Sequence, residues 1–319
     1  MAPTLPSVFY RSFAAFIALI AAVCVMPLQS HADDRYASIV IDMGSGQVLH
    51  DRFADSPRYP ASLTKVMTLY MVFNALDNGE LTLDEQLPVS RRASQAPPSR
   101  LGLAPGDTIS VQDAILALVT KSANDVAVVV AERLGGSESR FAALMTVQAR
   151  ALGMQNTRFY NAHGLPDTRQ ISTARDLAIL AQSMMEDHPN HYAYFATQEF
   201  RYRSTTYRNH NRLLGVVPGV DGIKTGYTRA SGYNLMATAQ RDGNRVIAVM
   251  LGGATSRARN THVTELLEAA FTAIDMTGPA EPDLRTRIAF QAIQFPDSEN
   301  TVTALANTLQ LEQGSAGGE

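Results

Sequence analysis

The chain has no tryptophan, one cysteine and very little lysine. A single cysteine, Cys24, excludes an internal disulfide framework and any cysteine-built zinc site. A basic excess is also missing. The 27 Lys and Arg stand against 30 Asp and Glu, so there is no electrostatic footprint for nucleic acid. The seven histidines have no metal-ligand spacing; His188 and His191 are three apart, but Pro189 between them argues against one helical face. Nothing points to a metal, nucleotide or flavin requirement. Of the 27 basic side chains only Lys65, Lys121 and Lys224 are lysines. A chain that uses arginine almost everywhere keeps lysine where arginine cannot do the job, and one such job is giving up a proton. What remains is ordinary globular composition, 45% apolar and 18% charged over 319 residues, enough for a sizeable core.

Residues 1–32 read as a secretory signal peptide. Arg11 gives the positive start, Phe13 to Met26 is uncharged and apolar, and Ser30-His31-Ala32 supplies small residues at a cleavage site. That run is shorter than the roughly 18–20 residues of a membrane span. Cleavage removes Cys24 and leaves a mature chain suited to an oxidising, periplasmic compartment. At the other end, residues 277–319 form a third region, an acidic and flexible tail with six acids against two arginines. An anionic membrane surface would repel it.

Between these ends, residues 33–276 are expected to form one catalytic domain. Tyr36–Asp42 and Gln47–Asp51 alternate as strands about Gly44-Ser45-Gly46. Helical periodicity covers Ser62–Leu76, Val111–Val119, Asn124–Leu134, Ser139–Leu152 and Thr173–Met185. Residues 90–108 read as an irregular loop, and Tyr202, Tyr207 and the arginines near 201–212 as a surface hairpin, with the lining of a substrate groove as the alternative. The β-prone runs Gly222–Tyr227, Gly232–Arg241 and Arg245–Gly252 follow, with Asp242-Gly243 as a hairpin turn, and Thr261–Ile274 is a closing helix. The expected class is α/β (α+β): an antiparallel sheet built from both chain ends, with a helical lobe inserted.

Three short motifs carry chemistry. In Ser62-Leu63-Thr64-Lys65, positions i and i+3 share a helix face, so the Lys65 amine reaches the Ser62 hydroxyl. A hydroxyl becomes a nucleophile when a base takes its proton, and a lysine depressed by burial and positive neighbours can be that base. Ser122-Ala123-Asn124 offers a hydroxyl for proton relay and an amide to hold Lys65 and a substrate carbonyl. Lys224-Thr225-Gly226 puts a charge, a carboxylate donor and a side-chain-free position on one strand. The N–H groups of Ser62 and Tyr227 could complete an oxyanion hole. Singly, each motif is more often a helix cap or a strand end; the three in order, using two of the three lysines, are specific.

The set resembles the motifs of penicillin-binding proteins and related β-lactamases. With Pro60–Thr68, Lys121–Asp125, Asn161-Ala162-His163-Gly164-Leu165, Asp221–Thr228 and Gly232-Tyr233-Asn234-Leu235, residues 35–275 resemble low-molecular-mass penicillin-binding proteins, the serine-type D-alanyl-D-alanine carboxypeptidases. That resemblance implies a DD-peptidase/β-lactamase-like fold and acylation by β-lactam antibiotics. It also implies hydrolysis of the terminal D-Ala-D-Ala bond of peptidoglycan stem peptides by Ser62, with Lys65 as base. Ser122 and Asn124 would assist, and Lys224, Thr225, Gly226 and Tyr227 would bind substrate. Arg259, just before the closing helix, falls where the family often keeps a carboxylate-steering arginine. Two departures stand out: Tyr227 replaces the usual histidine, and only 43 residues follow Met276. A D,D-endopeptidase, a β-lactamase and a non-hydrolytic β-lactam sensor share the scaffold; the β-lactamase would need a Glu-x-x-Leu-Asn loop, which the chain lacks.

Overall fold

The structure, a computed structural model, describes residues 35–276. Residues 1–32, expected to be a signal peptide, and the acidic stretch 277–319 lie outside the described residues.

The chain opens on a hairpin, β1 (Ala37–Asp42) and β2 (Val48–Arg52). A 3-10 turn at Ala61–Leu63 leads into α1 (Thr64–Asp77). Next come β3 (Gln86–Pro88), α2 (Arg91–Ser94) and β4 (Thr108–Ser110), β3 and β4 pairing as a ribbon. The lobe continues with α3 (Val111–Val119), α4 (Asn124–Gly135), α5 (Glu138–Ala151), α6 (Ala174–Asp187) and α7 (Pro189–Tyr192). A surface hairpin, β5 (Glu199–Tyr202) and β6 (Thr205–Arg208), carries Tyr202 and Tyr207 as expected. The chain then returns to the first sheet through β7 (Val220–Thr228), β8 (Gly232–Arg241) and β9 (Asn244–Gly253), and α8 (Ser256–Met276) follows.

The main sheet has the order β2-β1-β9-β8-β7 and is antiparallel throughout, so both ends of the described chain build it. Its core follows from period-2 alternation. On β9, Val246, Ala248 and Met250 join Val263, Leu266, Leu267 and Ala270 of α8 in one apolar cluster. Ile247, Val249 and Leu251 face the other way and join the cluster that includes α6 and the rest of the helical lobe. The sheet is thus covered on both faces, which is why β9 reads as an unbroken apolar run.

Residues 90–108 are less irregular than expected. Ser90 caps α2 by accepting the Ala93 N–H, and across the loop the Val89 N–H donates to the Asp107 carbonyl while the Gly106 N–H donates to the Val89 carbonyl. Three-residue strands are too short to leave an alternation in the sequence. The closing helix starts five residues earlier than expected. The Thr255 hydroxyl accepts the Ala258 N–H at 3.0 Å and caps it. Arg259 therefore lies inside the first turn of α8, not before it. Among the described residues no helix is long and apolar enough to cross a membrane.

Candidate active site

Ser62 sits in the 3-10 turn and Lys65 in the first turn of α1. Neither Ser62 nor Ser122 is a helix cap: the N-cap positions are Leu63 and Ala123, with no side-chain cap bond at either. Lys65 is fully buried, and its Nζ has three oxygens around it. These are Ser62 Oγ at 3.2 Å, Asn124 Oδ1 at 2.7 Å and the His163 carbonyl at 2.6 Å. Asn124 Oδ1 and the carbonyl can only accept, so they take two N–H groups. The third direction faces a hydroxyl, which can donate. A neutral amine, with two protons and one lone pair, satisfies all three. Burial pushes the Lys65 pKa well below its ordinary value, the charge of Lys224 pushes the same way, and Asp125 opposes them.

The second wall begins at Ser122, buried and in the left-handed region at φ +60°. Its hydroxyl has no partner among the described residues, as expected of a group kept for a ligand. Ala61, next to the nucleophile, also has positive φ, +49°. Non-glycine residues held there carry local strain that the surrounding fold must over-determine. Asn124 is fixed by three contacts besides its own helix: its N–H to Ser99 O at 2.6 Å, Nδ2 to Pro97 O at 2.8 Å, and Oδ1 to Lys65. Asp125 accepts the backbone N–H groups of Leu101, Gly102 and Leu103 and so docks the adjoining loop.

The residues behind the His163 carbonyl were not foreseen as parts of the site. His163 Nε2 meets Glu138 Oε1 at 3.0 Å, and Arg92 Nη2 meets Glu138 Oε2 at 2.6 Å. Burial raises the Glu138 pKa, but bonds to His163 and Arg92 outweigh it and hold the carboxyl at about 2. Gly164, at φ +86°, lies so close to Ala61 that an added Cβ would fall 1.9 Å from the Ala61 carbonyl oxygen. The Asn161–Leu165 run was the available signal, but its partners are distant in sequence.

The sheet supplies the opposite wall. Lys224, Thr225 and Gly226 lie on β7, where a Cβ on Gly226 would approach Ser62 N to 3.1 Å. The strand therefore passes directly beside the nucleophile. Lys224 is buried, and its Nζ donates to Thr225 O at 3.2 Å. Burial, then the charge of Arg259, pushes its pKa down to about 7. Arg259 is itself buried and held at about 10 by that burial; it donates to Asn234 O at 3.2 Å. Asn234, on β8, donates to the carbonyls of Tyr59 and Pro60 and so ties the sheet to the entry of the nucleophile turn. Tyr227 is 54% exposed and stacks on Tyr233 with ring centroids 4.2 Å apart.

A cleft of about 690 Å³ brings together Ser62, Ser122, Asn124, Thr225, Gly226 and Arg259, with Tyr227 on its rim; Lys65 and Lys224 are buried and do not line it. Every residue expected to take part in catalysis or substrate binding is thus in or against one cleft. His188 and His191 are elsewhere. They do converge, despite Pro189, because His188 precedes α7 and His191 lies within it, and both reach the Asp77 carboxylate, at 2.6 and 3.0 Å. Among the described residues no three His, Cys, Asp or Glu side chains form a group able to hold a metal.

Comparison with known proteins gives a consistent answer. A profile of the D-alanyl-D-alanine carboxypeptidases matches residues 25–255. The chain is 38% identical over 257 residues to D-alanyl-D-alanine carboxypeptidase DacC of Escherichia coli (strain K12), covering 78% of this chain and 64% of the relative. It therefore spans just under two thirds of that relative's length. Penicillin-binding protein 5 from Haemophilus influenzae superposes with a TM-score of 0.72 at 33% identity, over 78% of this chain and 73% of that one. The ampicillin-bound form of penicillin-binding protein D2 from Listeria monocytogenes gives 0.68 at 34% identity, over 74% and 96%. The antiparallel sheet with its inserted helical lobe is the fold of these proteins.

Proposed function

The chain belongs to the D-alanyl-D-alanine carboxypeptidase family, and from that premise we propose that it removes the terminal D-alanine of peptidoglycan stem peptides through an acyl-enzyme on Ser62, and that penicillins acylate the same hydroxyl. The observation that carries this reading is the set of contacts around Lys65 Nζ, two obligate acceptors and the Ser62 hydroxyl. They orient the lone pair of a neutral amine at the nucleophile's proton.

In this mechanism Ser62 Oγ attacks the carbonyl between the two D-alanines as Lys65 takes its proton. The N–H groups of Ser62 and Tyr227 hold the oxyanion. Lys224 and Thr225 bind the terminal carboxylate, and Arg259 steers it. The proton passes to the departing amine through the otherwise unpartnered Ser122 hydroxyl. Asn124 keeps Lys65 in place, and one Nδ2 hydrogen remains for a substrate carbonyl. Water then cleaves the ester. No resident metal or organic cofactor has a role. Residues 1–32 would direct the chain to the periplasm, where its substrate lies.

Purified protein from residue 33 onward should label covalently with a fluorescent penicillin and release D-alanine from a pentapeptide mimic. Ser62→Ala should lose both, turnover falling by about four orders of magnitude or more. Labelling of the Ser62→Ala protein, or none of the unaltered one, would overturn the proposal.

A further inference from the structure

Direction along the cleft can be read from β7. Gly226 passes Ser62, where the bond breaks. Thr225 and Lys224, the proposed carboxylate anchor, come one and two residues earlier. Gly222 comes four residues before Gly226, about 13 Å along an extended strand. Its carbonyl accepts Asn211 Nδ2 at 2.9 Å. Arg212, adjoining Asn211, is thus at the leaving-group end, beyond the anchor.

Arg212 and Arg100 are exposed, Lys121 is half-buried, and all three line the cleft. The last two are linked locally, since Ser99 Oγ donates to the Lys121 carbonyl at 2.9 Å. Lys121 Nζ stands 5.3 Å from the Tyr207 ring centroid, and Arg100 donates to the carbonyls of Ser94 and Ala96, each at 3.4 Å. Among the described residues none of the three has a carboxylate partner. Elsewhere on the surface Arg133, Arg175 and Arg241 are ion-paired, whereas Arg91, Arg140 and Arg201 have no carboxylate partner among the described residues, so what sets the cleft apart is that its unpaired cations share one lining. Among the described residues no aspartate or glutamate lines the cleft. His210, on the same rim, responds to this field. Desolvation, then the charges of Lys224, Lys121, Arg212 and Lys65, push its imidazolium down to about 4. One terminal carboxylate, met at Thr225 and Lys224 in the proposed mechanism, leaves three cations without an anionic partner.

We propose that Lys121, Arg212 and Arg100 form an anion-accepting extension of the leaving-group end, fitted to departing amines that carry a second carboxylate, as the acceptor strand of a peptide cross-link does. The inference rests on the carboxypeptidase reading and widens it towards D,D-endopeptidase action. The chemistry is unchanged. The amide between the D-alanyl carbonyl and the departing amine breaks, the Ser62 ester forms, the serine proton ends on the amine, and water later cleaves the ester.

Two acylated dipeptides test it: D-alanyl-D-α-aminoadipate, whose leaving amine bears an extra carboxylate, and D-alanyl-D-norleucine, which lacks it. The unaltered enzyme should favour the first in kcat/KM by about fivefold to tenfold, and raising the salt should shrink the ratio. In the Arg100→Gln, Arg212→Gln double variant the ratio should fall to about one, while D-alanine release stays within about twofold. Equal use of both dipeptides by the unaltered enzyme, or a preference that survives the double variant, would overturn the extension alone. Loss of D-alanine release and of penicillin labelling by the unaltered enzyme would instead sink the reading beneath it.

Discussion

Two lysines, one on each wall of the cleft, have both been taken out of water, yet their surroundings are opposites. Lys65, on the helical wall, is saturated: all three of its contacts are within 3.2 Å, and two of them can only accept. Lys224, on the sheet wall, has one backbone acceptor at 3.2 Å. A saturated amine whose pKa is pushed down by burial is suited to taking one proton along one direction. An under-saturated ammonium, short of acceptors in a buried place, is suited to gripping an anion that brings them. The same residue type is thus fitted to the proposed role of base or of anchor by the number and kind of oxygens the fold leaves beside it, while their mutual repulsion favours one charge between them.

The strongest way to break this comparison is to keep charge and remove basicity at each position in turn. Lys65→Arg should lower the acylation rate by about a thousandfold or more, because a guanidinium has no lone pair to offer. Lys224→Arg keeps the charge and should cost only about tenfold to a hundredfold, mainly in KM. Stopped-flow acylation with a fluorescent penicillin reads the first, and steady-state D-alanine release reads the second. Near-normal turnover in Lys65→Arg would remove the base from Lys65.

The base side of this comparison was legible in the sequence, because Ser62 and Lys65 are local and share a helix face. The rarity of lysine made both walls visible. The devices that set the two environments were not. The acceptors at Lys65 come from Asn124 and from a main-chain carbonyl at residue 163, and no side-chain pattern announces a carbonyl's direction. The Glu138–His163–Arg92 chain joins three segments that only the packed lobe brings together. The main sheet was readable because its strands are long and alternate or run apolar. The β3–β4 ribbon was not, at three residues a strand. The position of Arg259 was missed because the capping Thr255 is followed by polar residues that hide the first turn of α8.

The next effect in size is in the pH profile. The proposed anchor works when Lys224 is protonated, and burial, then the charge of Arg259, push its pKa down to about 7. Charge on the anchor is therefore present below that pH and lost as pH rises through it. The base works when Lys65 is neutral, so activity is lost as pH falls through the depressed Lys65 value. The kcat/KM profile should be a bell, with its alkaline limb beginning near about 7. In Lys224→Arg that limb should move upward by at least one unit, about the difference between a titrating ammonium and a permanent charge. An unmoved alkaline limb would assign it to another group and leave the anchor role of Lys224 without support.

Glu138 sharpens the comparison from behind, since it meets Lys65 indirectly, through His163 and the neighbouring Ala162 N–H, which it also accepts. Glu138→Gln should lower kcat by about threefold to tenfold with KM nearly unchanged, the mark of a misplaced base. Its effect on stability has a definite sign. The folded-state carboxyl lies at about 2, below its ordinary 4.5. The ionised carboxylate therefore stabilises the fold above 4.5, and that contribution disappears as pH falls through about 2. The unaltered protein should melt higher than Glu138→Gln at pH 7, with the gap closing in strong acid. A gap that stays constant from pH 7 to pH 2 would mean that Glu138 contributes by packing alone.

The smallest expected effect concerns the residue beside the sheet-wall lysine that departs from the family pattern. Tyr227 is more than half exposed and its ring is engaged with Tyr233, so its side chain does not reach into either lysine's environment. What the mechanism takes from position 227 is the backbone N–H, which any residue but proline provides. Tyr227→His should therefore leave penicillin acylation within about threefold of the unaltered rate, since side chains that touch only solvent and a neighbouring ring change little. Deacylation is the step where a rim side chain can still act, by ordering or admitting water. Release of the penicilloyl group from the labelled protein isolates that step. Different deacylation with unchanged acylation would confine the role of position 227 to water access. A tenfold fall in acylation would mean that the side chain helps to hold the strand against Ser62, and the sheet wall would then carry more of the catalysis than its lysine alone.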